Sequence, residues 1–140
     1  MKQSLEISIY IKAPLRAVWE ALTDPSLIEQ YFFGTKVKTD WKVGSPISFE
    51  GEYQGMHYKD KGVILKNNSE NVLSYSYWSS FSGLPDKPEY YQIVTYLLRE
   101  DASETFLTIK QENLKEVTEA TREHWNVVLE NLKSLIERSI

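Results

Sequence analysis

The sequence contains no cysteine, and only two of its 140 residues are histidines. The absence of thiols excludes disulfides, cysteine nucleophiles and every sulfur-ligated metal site. His57 and His124 are far apart in the chain, and no third ligand is spaced to join them. We therefore expect no metal site.

Short catalytic motifs are also missing. The chain has no Gly-x-Ser-x-Gly elbow, no glycine-rich phosphate loop and no His-Glu-x-x-His pattern. Hydrolase, dinucleotide-dependent and zincin activities therefore lack their usual signatures. From the residues we expect no cofactor, and we favour a non-catalytic role over an enzymatic one.

A basic surface and a long apolar run are the remaining absences. The 16 Lys and Arg are scattered among 20 Asp and Glu, which leaves a net charge of −4 and argues against a nucleic-acid partner. The longest uncharged apolar runs are too short to cross a bilayer, and Glu6 interrupts what would be the apolar part of a signal peptide. We expect one domain over residues 1–140, located in the cytoplasm and not inserted into a membrane.

The hydrophobic periodicity predicts one strand, two short helices, six strands and one long helix. Leu5 to Ile11 alternates as a half-buried strand does. Apolar residues then recur at helical spacing on two short faces, first Leu15, Val18, Trp19 and Leu22, then Leu27, Ile28, Tyr31 and Phe32. Six strand-like runs follow, separated by turn residues, at 36–41, 46–53, 58–66, 71–78, 90–99 and 104–111.

The last stretch, residues 113–140, reads as one long amphipathic helix with a capping signal at Asn113 and Glu116. Its apolar stripe comprises Val117, Thr121, Trp125, Val128, Leu129, Leu132, Leu135 and Ile136. Successive strands with short links form an antiparallel meander, and this helix is the only element long enough to cover its buried face. The predicted fold is therefore α+β, a seven-stranded curved antiparallel sheet wrapped around a long C-terminal helix.

Several motifs resemble those of a known superfamily. They are Ala13-Pro14, Val18-Trp19, Leu22-Thr23-Asp24-Pro25, Tyr31-Phe32, Gly44, Gly62-Val63, Leu73-Ser74-Tyr75, Thr105-Phe106-Leu107-Thr108, Trp125, Leu129 and Leu132-Lys133. This pattern resembles the START-like, or SRPBCC, superfamily with its helix-grip fold. The most similar branch is the C-terminal domain of the activator of the ninety-kilodalton heat-shock chaperone ATPase. The resemblance implies a ligand cavity between the sheet and the long helix. The chain departs from the branch at Tyr31, where Trp is frequent, and at Ser45, where a second glycine is frequent, and both departures are expected near the cavity rim.

The aromatic residues are unusually polar, with nine Tyr and four Trp against five Phe. Several tyrosines lie on strand faces that must point at the helix. A buried hydroxyl without a partner costs about 1–3 kcal/mol, so inward tyrosines favour a cavity that holds water or a ligand with a polar end. In the alternative, the rings pack and the hydroxyls reach solvent, and Trp125 belongs to the core. The predicted cavity lining is Tyr53, Tyr58, Tyr75, Tyr77, Tyr96, Thr121, His124 and Trp125, with Trp78, Phe81 and Leu84 at the mouth beside the 79–89 loop.

Three functions remain open from the sequence. The first is a binding module for a small, largely apolar ligand that is lipid-like or aromatic. In this role the protein would be a monomer or a weak homodimer. The second, implied by the resemblance, is an interaction protein with a chaperone as its partner. The third is an enzyme acting on a polyketide-like substrate, for which His124, Tyr75 or Tyr96 are the candidate residues.

Overall fold

The computed structural model describes residues 2–139. In chain order the elements are β1 (Gln3–Ile11), α1 (Leu15–Thr23), α2 (Pro25–Tyr31), β2 (Lys36–Lys38), β3 (Pro46–Tyr53), β4 (Met56–Asn68), β5 (Val72–Tyr77), a 3-10 turn (Pro88–Tyr90), β6 (Gln92–Asp101), β7 (Glu104–Leu114) and α3 (Glu119–Arg138). The predicted α+β helix-grip fold, with two short helices between the first two strands, is confirmed.

The seven strands form one antiparallel sheet in the order β1-β7-β6-β5-β4-β3-β2. Strands β2 to β7 follow one another as a meander, while β1 closes the far edge beside β7. Since β1 and β2 lie at opposite edges, α1 and α2 carry the chain between those edges and contact α3 on the way. Asp24 begins α2, because its carboxylate accepts a hydrogen bond from the Ser26 backbone N–H at 2.9 Å.

The core lies between the sheet and one face of α3. The predicted apolar stripe is confirmed over the second half of this helix, where Val128, Leu129, Leu132 and Ile136 are buried. They pack in one cluster with strand residues such as Leu107. Each such side chain contributes about 1.5–3 kcal/mol by leaving water, so this half of the helix fastens the sheet around it.

The start of α3 differs from the prediction. The capping signal assigned to Asn113 is wrong, because β7 continues to Leu114 and pairs there with Gln3 of β1. Asn113 has a positive φ of 67°, and its side-chain amide donates to the carbonyl oxygen of Tyr91 at 2.8 Å. The helix begins six residues later, where the Thr118 hydroxyl accepts from the Thr121 backbone N–H. Strand pairing therefore took precedence over a local capping signal.

Other boundaries also moved. Strand β2 ends at Lys38 and not at residue 41, and Trp41 has a φ of 66°, outside the strand region. The predicted rim position of Tyr31 is wrong, since the side chain is 4% exposed and its hydroxyl donates to the Ala21 carbonyl oxygen. Ser45 lies in the turn before β3, outside the cavity lining described below.

Candidate ligand-binding cavity

A cavity of about 630 Å³ lies between the first half of α3 and the concave face of the sheet. Its helical wall begins one residue into α3, and the 32–35 connection after α2 forms a second side. The lining residues are Phe32, Phe33, Thr35, Phe49, Glu52, Tyr53, Tyr58, Asp60, Tyr75, Tyr77, Ser79, Phe81, Val94, Gln111, Ala120, Thr121, His124 and Trp125. Ten of these are aromatic or histidine rings, so most of the wall is apolar with a flat, polarisable surface.

The predicted lining residues fall into two groups. The structure brings seven of them together around this cavity, namely Tyr53, Tyr58, Tyr75, Tyr77, Thr121, His124 and Trp125. Tyr96 is not in the lining. It lies in the core beside Tyr75 and Trp125, because its hydroxyl shares a hydrogen bond of 2.9 Å with the Tyr75 hydroxyl.

Of the three residues predicted at the mouth, Phe81 lines the cavity and is 47% exposed. Trp78 and Leu84 lie outside the lining. The indole N–H of Trp78 donates to the Leu84 carbonyl oxygen at 3.2 Å, so these two residues fasten the base of the loop that carries Phe81. The mouth is framed instead by Phe33, Tyr53 and Phe81, each about half exposed.

The inward tyrosine hydroxyls do not need water or ligand, contrary to the sequence-based argument. Tyr75 and Tyr96 bond each other, and Tyr77 donates to the Asp60 carboxylate. Among residues 2–139, every buried side-chain nitrogen or oxygen has a hydrogen-bond partner. Burial raises the pKa of Tyr75 well above its usual value, so this phenol stays neutral near pH 7.

Asp60 is the polar feature that sequence reasoning missed. The carboxylate is 6% exposed, and one of its oxygens accepts from the Ser80 backbone N–H at 2.9 Å and from the Ser80 hydroxyl at 3.3 Å. Lys59 and Lys61 flank it in the sequence, which is typical of a solvated strand. The signal that could have found it is the period of two in β4, because Tyr58, Asp60 and Gly62 alternate with exposed neighbours.

Trp125 forms a rigid part of the helical wall. The side chain is 4% exposed, and its indole N–H donates to the Gln111 side-chain oxygen at 2.7 Å. The Gln111 amide in turn donates to the Gln92 side chain, so the indole is held by a chain of side-chain hydrogen bonds that crosses β7 and β6. Gln111 itself lines the cavity, and sequence reasoning did not single it out.

His124 lies at the mouth among other rings. Its imidazole is exposed on one side and meets the rings of Phe32, Phe33 and Trp125 at centroid distances of 5.6, 5.4 and 5.6 Å. This packing removes part of its hydration and lowers its pKa below the usual value, so the ring is neutral near pH 7. A neutral imidazole offers a ligand one donor and one acceptor.

The three candidates for catalysis do not form a connected set. Tyr75 lines the cavity and bonds Tyr96 in the core behind it, whereas His124 packs against Phe32 and Phe33 at the mouth. Among residues 2–139 no hydrogen bond joins His124 to either tyrosine. The arrangement offers a binding surface with separated polar points.

The Tyr58 ring lies against Gly51 and forms one side of the cavity. A Cβ atom on Gly51 of β3 would come within 2.6 Å of the Tyr58 hydroxyl oxygen, so the absence of a side chain leaves room for this ring. The hydroxyl shares a hydrogen bond of 2.6 Å with the Thr35 hydroxyl. Strand β4 is thereby tied to the connection after α2, across the cavity entrance.

Within residues 2–139 no group of three or more His, Asp or Glu side chains is placed to hold a metal ion. In the same part of the chain, none of the helices is both long and apolar enough to span a membrane.

Comparison with known proteins gives a family and several structural relatives. A family model described as Activator of Hsp90 ATPase homolog 1-like protein matches residues 12–137. The solution structure of ChR145 from Cytophaga hutchinsonii is 40% identical, with a TM-score of 0.81 and coverage of 98% of this chain and 95% of that one. No curated protein matches the chain.

Two further structures are more distant. CalU16 from Micromonospora echinospora is 25% identical over 96% of this chain and 76% of that chain, with a TM-score of 0.77. The Aha1 dimer from Colwellia psychrerythraea is 18% identical over 96% of each chain, with a TM-score of 0.74. At 18% identity the likeness shows the fold alone.

Proposed function

The chain belongs to the Activator of Hsp90 ATPase homolog 1-like family, within the START-like superfamily, and from this premise we propose that it is a small-molecule binding protein. The ligand is largely apolar, lipid-like or aromatic, with a polar end, and it occupies the cavity between the sheet and α3. The observation that carries this proposal is the ring-lined space of about 630 Å³ under the first half of the helix.

The size of the cavity supports this proposal. Protein interiors are close-packed and contain few voids larger than a water molecule, whereas small-molecule sites usually measure about 300–1,000 Å³. The second half of α3 is packed in the ordinary way against the sheet, through Val128, Leu129 and Leu132. The loss of packing is therefore confined to the first half of the helix, as expected of a site and not of a loose core.

The chemistry of the wall supports an apolar ligand with a polar end. Rings such as Phe49 and Trp125 contribute apolar surface, and each Å² of apolar area that a ligand buries contributes about 25 cal/mol. The polar groups are separated, with Glu52 and Asp60 on the strand side and Thr121 and His124 on the helix. A ligand would be held mainly by its apolar body and oriented by one of these groups.

Titration with the neutral dye Nile red, followed by a panel of lipids and aromatic compounds, tests the proposal. We expect saturable binding at one site, a change in tryptophan fluorescence because Trp125 lines the cavity, and a higher melting temperature. A ligand at one hundred times its Kd stabilises the folded state by about 2.7 kcal/mol, which corresponds to a rise of about 5–10 °C for a chain of this size.

Glycerol is the control for this titration, because it offers hydroxyls without apolar surface and should leave the melting temperature unchanged. A panel in which no compound saturates and the melting temperature never moves would contradict the proposal.

A second candidate function is contact with a chaperone, which the family description and the exposed rim favour. Tyr53 and Met56 are 61% and 63% exposed at the tip of the β3–β4 hairpin, and Phe33 is 54% exposed beside the mouth. If this rim contacts the Hsp90 of the same organism, the wild-type protein should raise the rate of ATP hydrolysis. The Met56→Lys variant should raise it less, because a charge at this exposed position disrupts an apolar contact without entering the core. An unchanged rate with the wild-type protein excludes this candidate.

A further inference from the structure

The cavity wall carries negative charge without positive charge to balance it. Asp60 and Glu52 both line the cavity, and none of the lining residues is Lys or Arg. His124 does not supply the missing charge, because its ring is neutral near pH 7. A ligand with a carboxylate or phosphate end would therefore meet repulsion and find no counter-ion in the wall.

Asp60 is the buried member of this pair, and its partners are neutral. It accepts hydrogen bonds from the hydroxyl of Tyr77 and from the backbone and hydroxyl of Ser80. A carboxylate has about four acceptor positions, so these three bonds leave one for a ligand. Removing a carboxylate from water is expensive unless it is paired with a positive charge, and no ion pair at Asp60 is formed within residues 2–139.

The neighbouring lysines do not neutralise Asp60. Lys59 and Lys61 lie on the opposite, exposed face of β4, and each contacts another acid. The Lys59 ammonium is 3.8 Å from Glu50, and that of Lys61 pairs with Asp86. The buried carboxylate is therefore directed away from the basic residues nearest to it in the chain.

The rings near Asp60 suit a cation as well. Tyr77, which bonds Asp60, stands edge-on to Phe49 with ring centroids 5.5 Å apart, and Tyr58 meets Phe81 at 5.7 Å on the side towards the mouth. The faces of such rings attract ammonium groups, and this attraction is strongest where water is excluded. We propose that the ligand has a protonated amine at its polar end and that the Asp60 carboxylate receives it. This inference rests on the proposed function, because it assigns a chemical class to the ligand of the same cavity.

Three probes with the same ten-carbon alkyl chain and different polar head groups test this inference. Decylamine, decanol and decanoate are titrated separately at pH 7, with tryptophan fluorescence and melting temperature as readouts. The two charged probes are kept below their micelle concentrations and decanol below its solubility limit. We expect decylamine to bind about tenfold or more tightly than decanol, because a hydrogen bond between two charged groups is stronger than one to a neutral hydroxyl. Decanoate should bind more weakly than both.

The Asp60→Asn variant removes the charge and keeps an oxygen that can accept from Ser80. We expect it to lose the tenfold preference for decylamine while its affinity for decanol changes less than about threefold. Glu100→Gln is the control, because it removes a negative charge from an exposed position of β6 outside the lining, and it should retain the preference.

The outcomes separate the two proposals. If none of the three probes saturates, the proposed binding function is contradicted. If decanol or decanoate binds the wild-type protein as tightly as decylamine, the cavity binds alkyl chains without a preference for the amine. In that case only the amine inference is wrong. If Asp60 had only a structural role, Asp60→Asn would lower the affinity for all three probes equally. That result would also overturn the inference. Should this variant fail to fold, the order of the three affinities in the wild-type protein decides.

Discussion

Ala120→Trp is expected to weaken binding in the cavity strongly and to leave the fold intact. Ala120 is exposed in the first turn of α3 and lines the cavity, so an indole at this position competes with the ligand for the same volume. We expect the affinity for Nile red or decanol to fall by about a hundredfold, which corresponds to about 2.8 kcal/mol. Surface substitutions usually change stability by less than about 0.5 kcal/mol, so the melting temperature without ligand should move little.

The matched control for this experiment is Asn126→Trp. Asn126 is also exposed on α3, but it is not in the cavity lining. Both variants add the same indole to the same helix, and only the one at Ala120 should lose affinity. Retained binding in Ala120→Trp, or an equal loss in the control, would show that the ligand lies elsewhere.

Gly62→Ala is expected to produce the largest loss of stability. Gly62 lies in β4, where it pairs with Ile47 of β3, and any Cβ at this position would overlap the carbonyl oxygen of Ser76 in β5. Because the obstacle is backbone, β4 and β5 must move apart to accommodate it. Destabilisation by more than about 4 kcal/mol is expected, with a fall of about 10 °C or more in melting temperature.

The strands have little room for that movement. Just before Gly62, Lys61 exchanges backbone hydrogen bonds with Trp78 at 3.1 and 2.8 Å, and beyond it the β4–β5 pairing shifts register after Ile64. Separating β4 from β5 would also displace Tyr77 and Asp60, which face the cavity. The variant should therefore lose both stability and binding.

Gly51→Ala is the matched control for Gly62→Ala. The three atoms nearest to a Cβ at Gly51 all belong to the Tyr58 side chain, which can rotate away. The expected loss is about 1 kcal/mol, the value of the hydrogen bond between Tyr58 and Thr35. Urea denaturation of the three proteins measures both effects. If the two variants lose equal stability, the close approach of the β4 and β5 backbones at Gly62 is not the cause of the loss.

Much of the fold is readable from the sequence because it depends on local periodicity. The alternation from Leu5 to Ile11 and the apolar stripe from Val128 to Ile136 each indicate one element and one buried face, and both are confirmed. Boundaries were less predictable. Asn113 and Glu116 form a plausible helix start in isolation, but pairing of Leu114 with Gln3, more than one hundred residues away, extends β7 instead.

The site was less readable, for two physical reasons. Asp60 stands between two lysines and resembles a solvated charge, and its burial depends on the face that β4 turns towards the helix. The tyrosine hydroxyls suggested a wet interior, but Tyr75 and Tyr96 come from adjacent strands and satisfy each other. Neither partner can be inferred from the local sequence around the other.

By itself, therefore, the sequence determined the order of the elements, the faces they bury and the family, since these depend on residues that are near one another in the chain. Only the tertiary structure decided where the packing stops. The cavity exists because the first half of α3 does not pack directly onto the strands that carry Asp60 and Tyr77. The periodicity placed seven residues on the wall of this cavity, but its volume and its closed side depend on contacts between distant segments.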